Sequence, residues 1–82
     1  MVAFVARGAG RAAFVAGKRI GGAVERNRAR RVLRAAWREV RPLLLEEADV
    51  VWVARGSIRG AKTQDVVAEM TELLRRAGVV GG

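Results

Sequence analysis

The side chains able to act on a partner are cations, and nine of the sixteen Lys and Arg residues crowd into residues 18–41: Lys18, Arg19, Arg26, Arg28, Arg30, Arg31, Arg34, Arg38 and Arg41. All but Lys18 are arginine, whose planar fork donates paired hydrogen bonds to phosphate and stacks on bases. Asn27 sits among them. On a helix, the row Arg26, Arg30, Arg34 and Arg38 repels itself by roughly 0.2–0.5 kcal/mol per i, i+4 pair. Only Glu25 and Glu39 lie within the stretch to offset this. A polyanion removes the repulsion and adds the free energy of counterion release. Solvated faces usually mix signs, and this one does not.

Other chemistry is sparse. There is no cysteine and no histidine, which removes disulfides, thiolate metal sites and the commonest general base. Ser57 lacks a histidine partner for nucleophilic catalysis. Glu46, Glu47 and Asp49 are the one acidic cluster. A self-contained nuclease would have to use them, but acids beside a loop read more simply as a solvated corner. Gly8-Ala9-Gly10 with Ala13 brushes against a dinucleotide fingerprint, yet no helix follows the turn. Lys18-Arg19-Ile20-Gly21-Gly22 reads equally well as a phosphate-binding bend before a helix or as a flexible turn.

The elements that position the cations follow from periodicity. At about 100° per residue, Ala29, Val32, Leu33, Ala36, Trp37, Val40 and Leu44 form one apolar stripe on a helix starting near Ala23. Asn27, Arg30, Arg31, Arg34, Arg38 and Arg41 fall on the opposite half, with Arg28 at its edge; Arg26 lies in line with the stripe, beyond its N-terminal end. Pro42 kinks this helix or begins a short segment over residues 42–48. Residues 2–6 and 11–17 are short apolar runs around a two-glycine turn, which predicts a β-hairpin. Residues 49–55 (DVVWVAR) predict a central strand buried on both faces. A second amphipathic helix runs from Lys62 or Thr63 to Ala77, capped by Thr63, with Val66, Val67, Met70, Leu73 and Leu74 inward; residues 79–82 read as a frayed tail.

The order β-β-α-β-α predicts an α+β fold, a small mixed sheet covered by two helices, in one domain over residues 1–82. Trp37 and Trp52 then belong to the core. Phe4 and Phe14 are core on a covered sheet face and base-stacking on an open one. The net charge of +8 is local: residues 1–41 carry eleven cations and two acids, residues 42–82 five and six. The binding surface is therefore expected in the first half, with nucleic acid as partner. No 18-residue apolar run is present and the basic helix lacks a wide exposed apolar face, so no membrane partner is expected. A reducing cytoplasm fits the composition.

The run Ala23-Val24-Glu25-Arg26-Asn27-Arg28-Ala29-Arg30-Arg31-Val32-Leu33-Arg34 resembles the signature helix of the protein subunit of bacterial ribonuclease P, entered here from Lys18-Arg19 and the Gly21-Gly22 turn. The strand Asp49-Val50-Val51-Trp52-Val53-Ala54-Arg55 and the terminal helix through Leu73-Leu74 are similar to family elements in the same places. The resemblance implies an α/β sandwich with a left-handed βαβ crossover. It implies 5′ maturation of precursor tRNA by a catalytic RNA with Mg²⁺ held through that RNA, no cofactor being bound by the protein alone. Lys18, Arg19, Arg26, Asn27, Arg28, Arg30, Arg31 and Arg34 match residues facing the RNA subunit and nearby substrate. Phe4 and Val15 match positions lining a cleft, between sheet and helix, that holds the single-stranded 5′ leader; Arg26 reaches its rim.

The chain departs from the family in two ways. It begins at the first strand, without the basic helix carrying paired phenylalanines that walls the cleft in family members. Gly17 and Gly22 stand where Ser and Asn are commoner. Without that wall, an apolar strip of sheet is expected to be open to self-association. The rival reading is a general RNA-binding or ribosome-associated domain without a role in tRNA processing.

Overall fold

The computed structural model describes residues 1–81. Its elements are β1 (Val2–Arg7), β2 (Ala12–Val15), α1 (Ala23–Val40), β3 (Ala48–Val53) and α2 (Thr63–Arg76), with 3-10 turns at Lys18–Ile20, Arg41–Leu43 and Gly56–Ile58. The α+β class, the element order and the mixed sheet are those expected from the sequence.

The hairpin does not form. The strand order is β1-β3-β2, with β3 antiparallel to β1 and parallel to β2. β3 carries the densest β-branched run and takes the position that hydrogen-bonds along both edges. Asp49 near its start ties down the residue that leads into β2. Its carboxylate accepts the Arg11 backbone N–H at 2.9 Å and the Arg11 guanidinium at 2.9 Å. Any Cβ on Gly8 would overlap that carboxylate, so a side chain there would push Asp49 off its Arg11 hydrogen bonds. β2, α1 and β3 thus make a βαβ unit whose parallel strands are neighbours.

Both helices lie on one face of the sheet. Ala48, Val50 and Trp52 of β3 are buried, whereas Val51 between them is 36% exposed. The expectation of a strand buried on both faces is therefore corrected. Its outward Val51 and Val53 are apolar, as is much of the open face, which hid the alternation. Leu33, Ala36, Trp37 and Val40 of α1 and Val66, Met70 and Leu74 of α2 close the core over the other face. The Trp37 and Trp52 rings meet at 5.6 Å between centroids, tilted by 58°. Trp52 is fully buried and its indole Nε1–H has no acceptor, a desolvation cost of about 1–3 kcal/mol set against the burial of a large aromatic surface.

Helix α1 enters without a side-chain cap, from Gly22 in extended conformation. Gly21 before it has φ 139°, open to glycine alone, and the Glu25 side chain folds over this bend. Arg41 continues from α1 into the Arg41–Leu43 turn with Pro42 inside it, and Leu44 is already extended. The segment predicted over residues 42–48 is thus a single turn. Helix α2 is capped at Lys62, not Thr63: the Asp65 carboxylate accepts the Lys62 N–H at 3.0 Å.

Its C-terminus closes on Gly78 (φ 78°), with Val79 N–H donating to the Leu74 carbonyl and Gly78 N–H to that of Arg75, a Schellman motif. The frayed tail is corrected through residue 80. Val79 and Val80 are buried, Leu44 bridges Val80, and Leu45 N–H donates to the Val79 carbonyl at 2.9 Å. Gly82 lies outside the described residues.

Candidate nucleic-acid interface

The apolar stripe of α1 fixes what its other face presents. With Ala29, Leu33, Ala36, Trp37 and Val40 buried, Asn27, Arg31, Arg34 and Arg38 project to solvent, and Arg26 and Arg30 are half-buried at its margins. Among the described residues the ion pairs are the amino terminus with Glu69, Arg11 with Asp49, and Arg75 and Arg76 with Glu72. None of them pairs an arginine of α1 with a carboxylate. Glu39, the acid expected to offset them, instead accepts Gln64 Nε2 on both oxygens at 3.1 Å and ties α1 to α2.

The cationic face is held in shape by contacts that leave its charge unneutralised. Arg30 donates to Asn27 Oδ1 at 2.7 Å. The Arg34 guanidinium lies 5.6 Å over the Phe14 ring, a cation–π contact worth roughly 0.5–1 kcal/mol at an exposed site. Phe14 is thereby assigned to the covered side of the sheet. Lys18 and Arg19 are exposed on the turn after β2. With Val15, Val53, Arg55 and Gly56 they border a hollow of about 370 Å³.

Arg28 behaves differently from its neighbours. It donates to the Ile58 carbonyl at 3.4 Å and to the Ala61 carbonyl at 2.9 Å, so it points across to the loop before α2. Sequence reasoning also passed over Arg55, Arg59 and Lys62, which that loop brings to the same end of the molecule. The matching strand signature ended at Arg55, but nothing local indicated where the loop folds.

Phe4 (62% exposed) and Val15 (44%) share the open sheet face with Val51. The register sets Phe4 opposite Val51 in β1, Ala13 opposite Val51 in β2 and Val15 opposite Val53. The expected position of the cleft is corrected: the space between sheet and α1 is filled by Leu33, Trp37 and Trp52, and Phe4 and Val15 lie on the far side of the sheet from it. There they belong to a shallow apolar trough. About 360 Å³ of it is lined by Phe4, Ala6, Ala13 and Val51, with Arg11 and Asp49 at one end; the Lys18–Arg19 hollow adjoins Val15 and Val53 at the other. The Arg11 hydrogen bonds hold the Asp49 carboxyl below the usual carboxylate range, so Asp49 stays ionised and paired and is not free for acid–base work. Glu46 and Glu47 are exposed. Among the described residues no group of three or more acidic side chains is set to hold a metal ion.

Fold and surface together define a small basic α+β protein with a cationic helix face on one side and an open apolar sheet on the other. A family model described as Ribonuclease P matches residues 1–78, and the chain belongs to that family. It is 41% identical over 73 residues to the ribonuclease P protein component of Roseiflexus castenholzii, covering 88% of this chain and 60% of that relative. It is 42% identical over 72 residues to that of Gluconacetobacter diazotrophicus, covering 87% and 62%. The chain thus spans about three fifths of the length of these curated relatives. In fold it is similar to the RNase P protein of Staphylococcus aureus (TM-score 0.74, 19% identity, 96% of this chain and 75% of the other). It is likewise similar to that of Thermotoga maritima in complex with 1-(4-fluorophenyl)-2-thiourea (TM-score 0.75, 20% identity, 90% and 76%).

Proposed function

We propose that this chain is the RNA-binding protein subunit of ribonuclease P, assisting 5′-end maturation of precursor tRNA while the catalytic RNA, with its Mg²⁺, performs the cleavage. The observation that carries this is the α1 face: a row of arginines without carboxylate partners, rigidly docked by its opposite stripe. In this reading Lys18, Arg19, Arg26, Asn27, Arg30, Arg31 and Arg34 face the RNA subunit and nearby substrate. Their forked donors position phosphates and carry no catalytic proton.

The trough bearing Phe4 and Val15 takes the single-stranded leader, since an exposed aromatic on an apolar strand surface stacks unpaired bases and the adjoining cations hold the backbone. A second copy is the less favoured occupant, because two chains of charge +8 repel one another. Mg²⁺ is assigned to the RNA phosphates, and the protein's share is neutralising charge as the strands approach. The cytoplasm, where precursor tRNA is processed, is the matching compartment.

The test is reconstitution with a transcribed bacterial ribonuclease P RNA at low Mg²⁺. The protein is expected to stimulate 5′ maturation, and the stimulation is expected to vanish when Arg30 and Arg31 are both changed to Ala. A general RNA-binding domain would instead bind this RNA no better than a random duplex at equal salt.

A further inference from the structure

A second group of cations gathers where three segments meet. The Lys18–Ile20 turn packs against the Gly56–Ile58 turn, and Arg28 of α1 reaches the same loop through the Ile58 and Ala61 carbonyls. Ala61 N–H donates back to the Ile58 carbonyl at 3.1 Å, so the loop is closed on itself where the guanidinium grips it. Residues 55–62 contain Arg55, Arg59 and Lys62 and no acid. All three are exposed, and none has a carboxylate partner among the described residues. Asp65, the nearest acid in sequence, is occupied by the Lys62 backbone N–H.

Seating this loop beside Lys18 and Arg19 sets like charges together, which opposes its docking. Arg28 supplies the compensating bonds. The two carbonyls are met by separate nitrogens of one planar fork, a geometry that lysine's single ammonium does not reproduce, and it turns Arg28 away from the phosphate-facing row. Glu25, Arg28 and Arg59 line the hollow of about 250 Å³ beneath the loop. Arg28 is occupied there by the loop carbonyls, which leaves Arg59 and Lys62 as the cations the loop offers to an anion.

We propose that residues 55–62 form a second RNA phosphate-binding arm, with Arg59 and Lys62 as its contacts and Arg28 as the positioning residue that holds the arm against α1. This rests on the reading of α1 as an RNA-binding face, and it moves Arg28 from the RNA-facing set to the scaffold.

The test is the salt dependence of equilibrium binding to a transcribed bacterial ribonuclease P RNA. Arg59→Ala and Lys62→Ala are each expected to lower the log–log slope by about 0.7–0.9. Arg28→Ala is expected to lower it by as much as those two together, and to add nothing when combined with them. In the free protein, Arg28→Ala should speed amide hydrogen exchange across residues 56–61, and Arg28→Lys should not restore protection. An unchanged slope in the Arg59→Ala, Lys62→Ala double variant overturns the arm. A further slope loss when Arg28→Ala is added to it makes Arg28 a phosphate contact and overturns its positioning role. The parent chain's preference for this RNA over a random duplex tests the subunit reading separately. The arm's slopes are read on whichever RNA binds, so either idea can fail without the other.

Discussion

Replacing Arg30, Arg31 and Arg34 together by Ala separates charge from fold. Each lost phosphate contact removes about 0.7–0.9 from the slope of log K against log salt, so three remove roughly 2.1–2.7. Over a fourfold rise in salt, from about 50 to 200 mM, the affinity gap between parent and variant should therefore shrink by about 20- to 40-fold. The fold should barely register the change. The variant loses the Arg34–Phe14 contact and the Arg30–Asn27 hydrogen bond, each worth about 1 kcal/mol or less where exposed. It also loses repulsion along the Arg26, Arg30, Arg34, Arg38 row, which works in the opposite direction. A net change within about 1 kcal/mol moves Tm by no more than about 4–8 °C in a domain of this size. Filter binding across a salt series and thermal melts followed by circular dichroism read the two quantities independently. An unchanged slope would remove this face from the interface. A Tm loss well beyond that range would mean that the arginines act by holding the helix in place.

Three further outcomes follow from the packing. Trp37→Ala should cost about 3–5 kcal/mol of stability in urea titration, because Trp37 is buried against Trp52; lost RNA binding at unchanged stability would make it a contact residue instead. Gly8→Ala should destabilise the protein although Gly8 is exposed, since the new Cβ meets the Asp49 carboxylate, and the same change should cost less in an Asp49→Gly background, as a double-mutant cycle would read. The folded-state pKa of Asp49 is depressed by Arg11, so its contribution is fully present above the unfolded value near about 3.9 and is lost as pH falls through the lower folded value. In acid titration of stability, Asp49→Asn should lack that part of the decline, and an identical acid limb would refute the assignment.

The basic helix was legible because two independent signals coincide in it. The 3.6-residue spacing of Ala29, Leu33, Ala36, Trp37 and Val40 fixed its buried stripe, and that stripe alone dictates that Asn27, Arg31, Arg34 and Arg38 project outward. Which of the helix's cations point to solvent followed from helix geometry and charge, with no tertiary information. Arg28 escaped this logic because its edge position says nothing about a loop 30 residues on.

What the chain order concealed was the placement of β3. Strand pairing is decided by non-local hydrogen bonds, and the adjacency of β1 and β2 in sequence argued for a hairpin that β3 splits. The Asp49 carboxylate anchors Arg11, a role invisible in a residue that reads as a strand boundary. The same long-range assembly leaves Phe4 and Val15 on an open surface, seats Val79 and Val80 against Leu44 and Leu45, and carries Arg59 and Lys62 to the end of the basic helix. Periodicity tells which side of an element is apolar. Which neighbour covers that side, or whether any does, is settled only when the whole chain competes for the one buried face that three short strands and two helices can close.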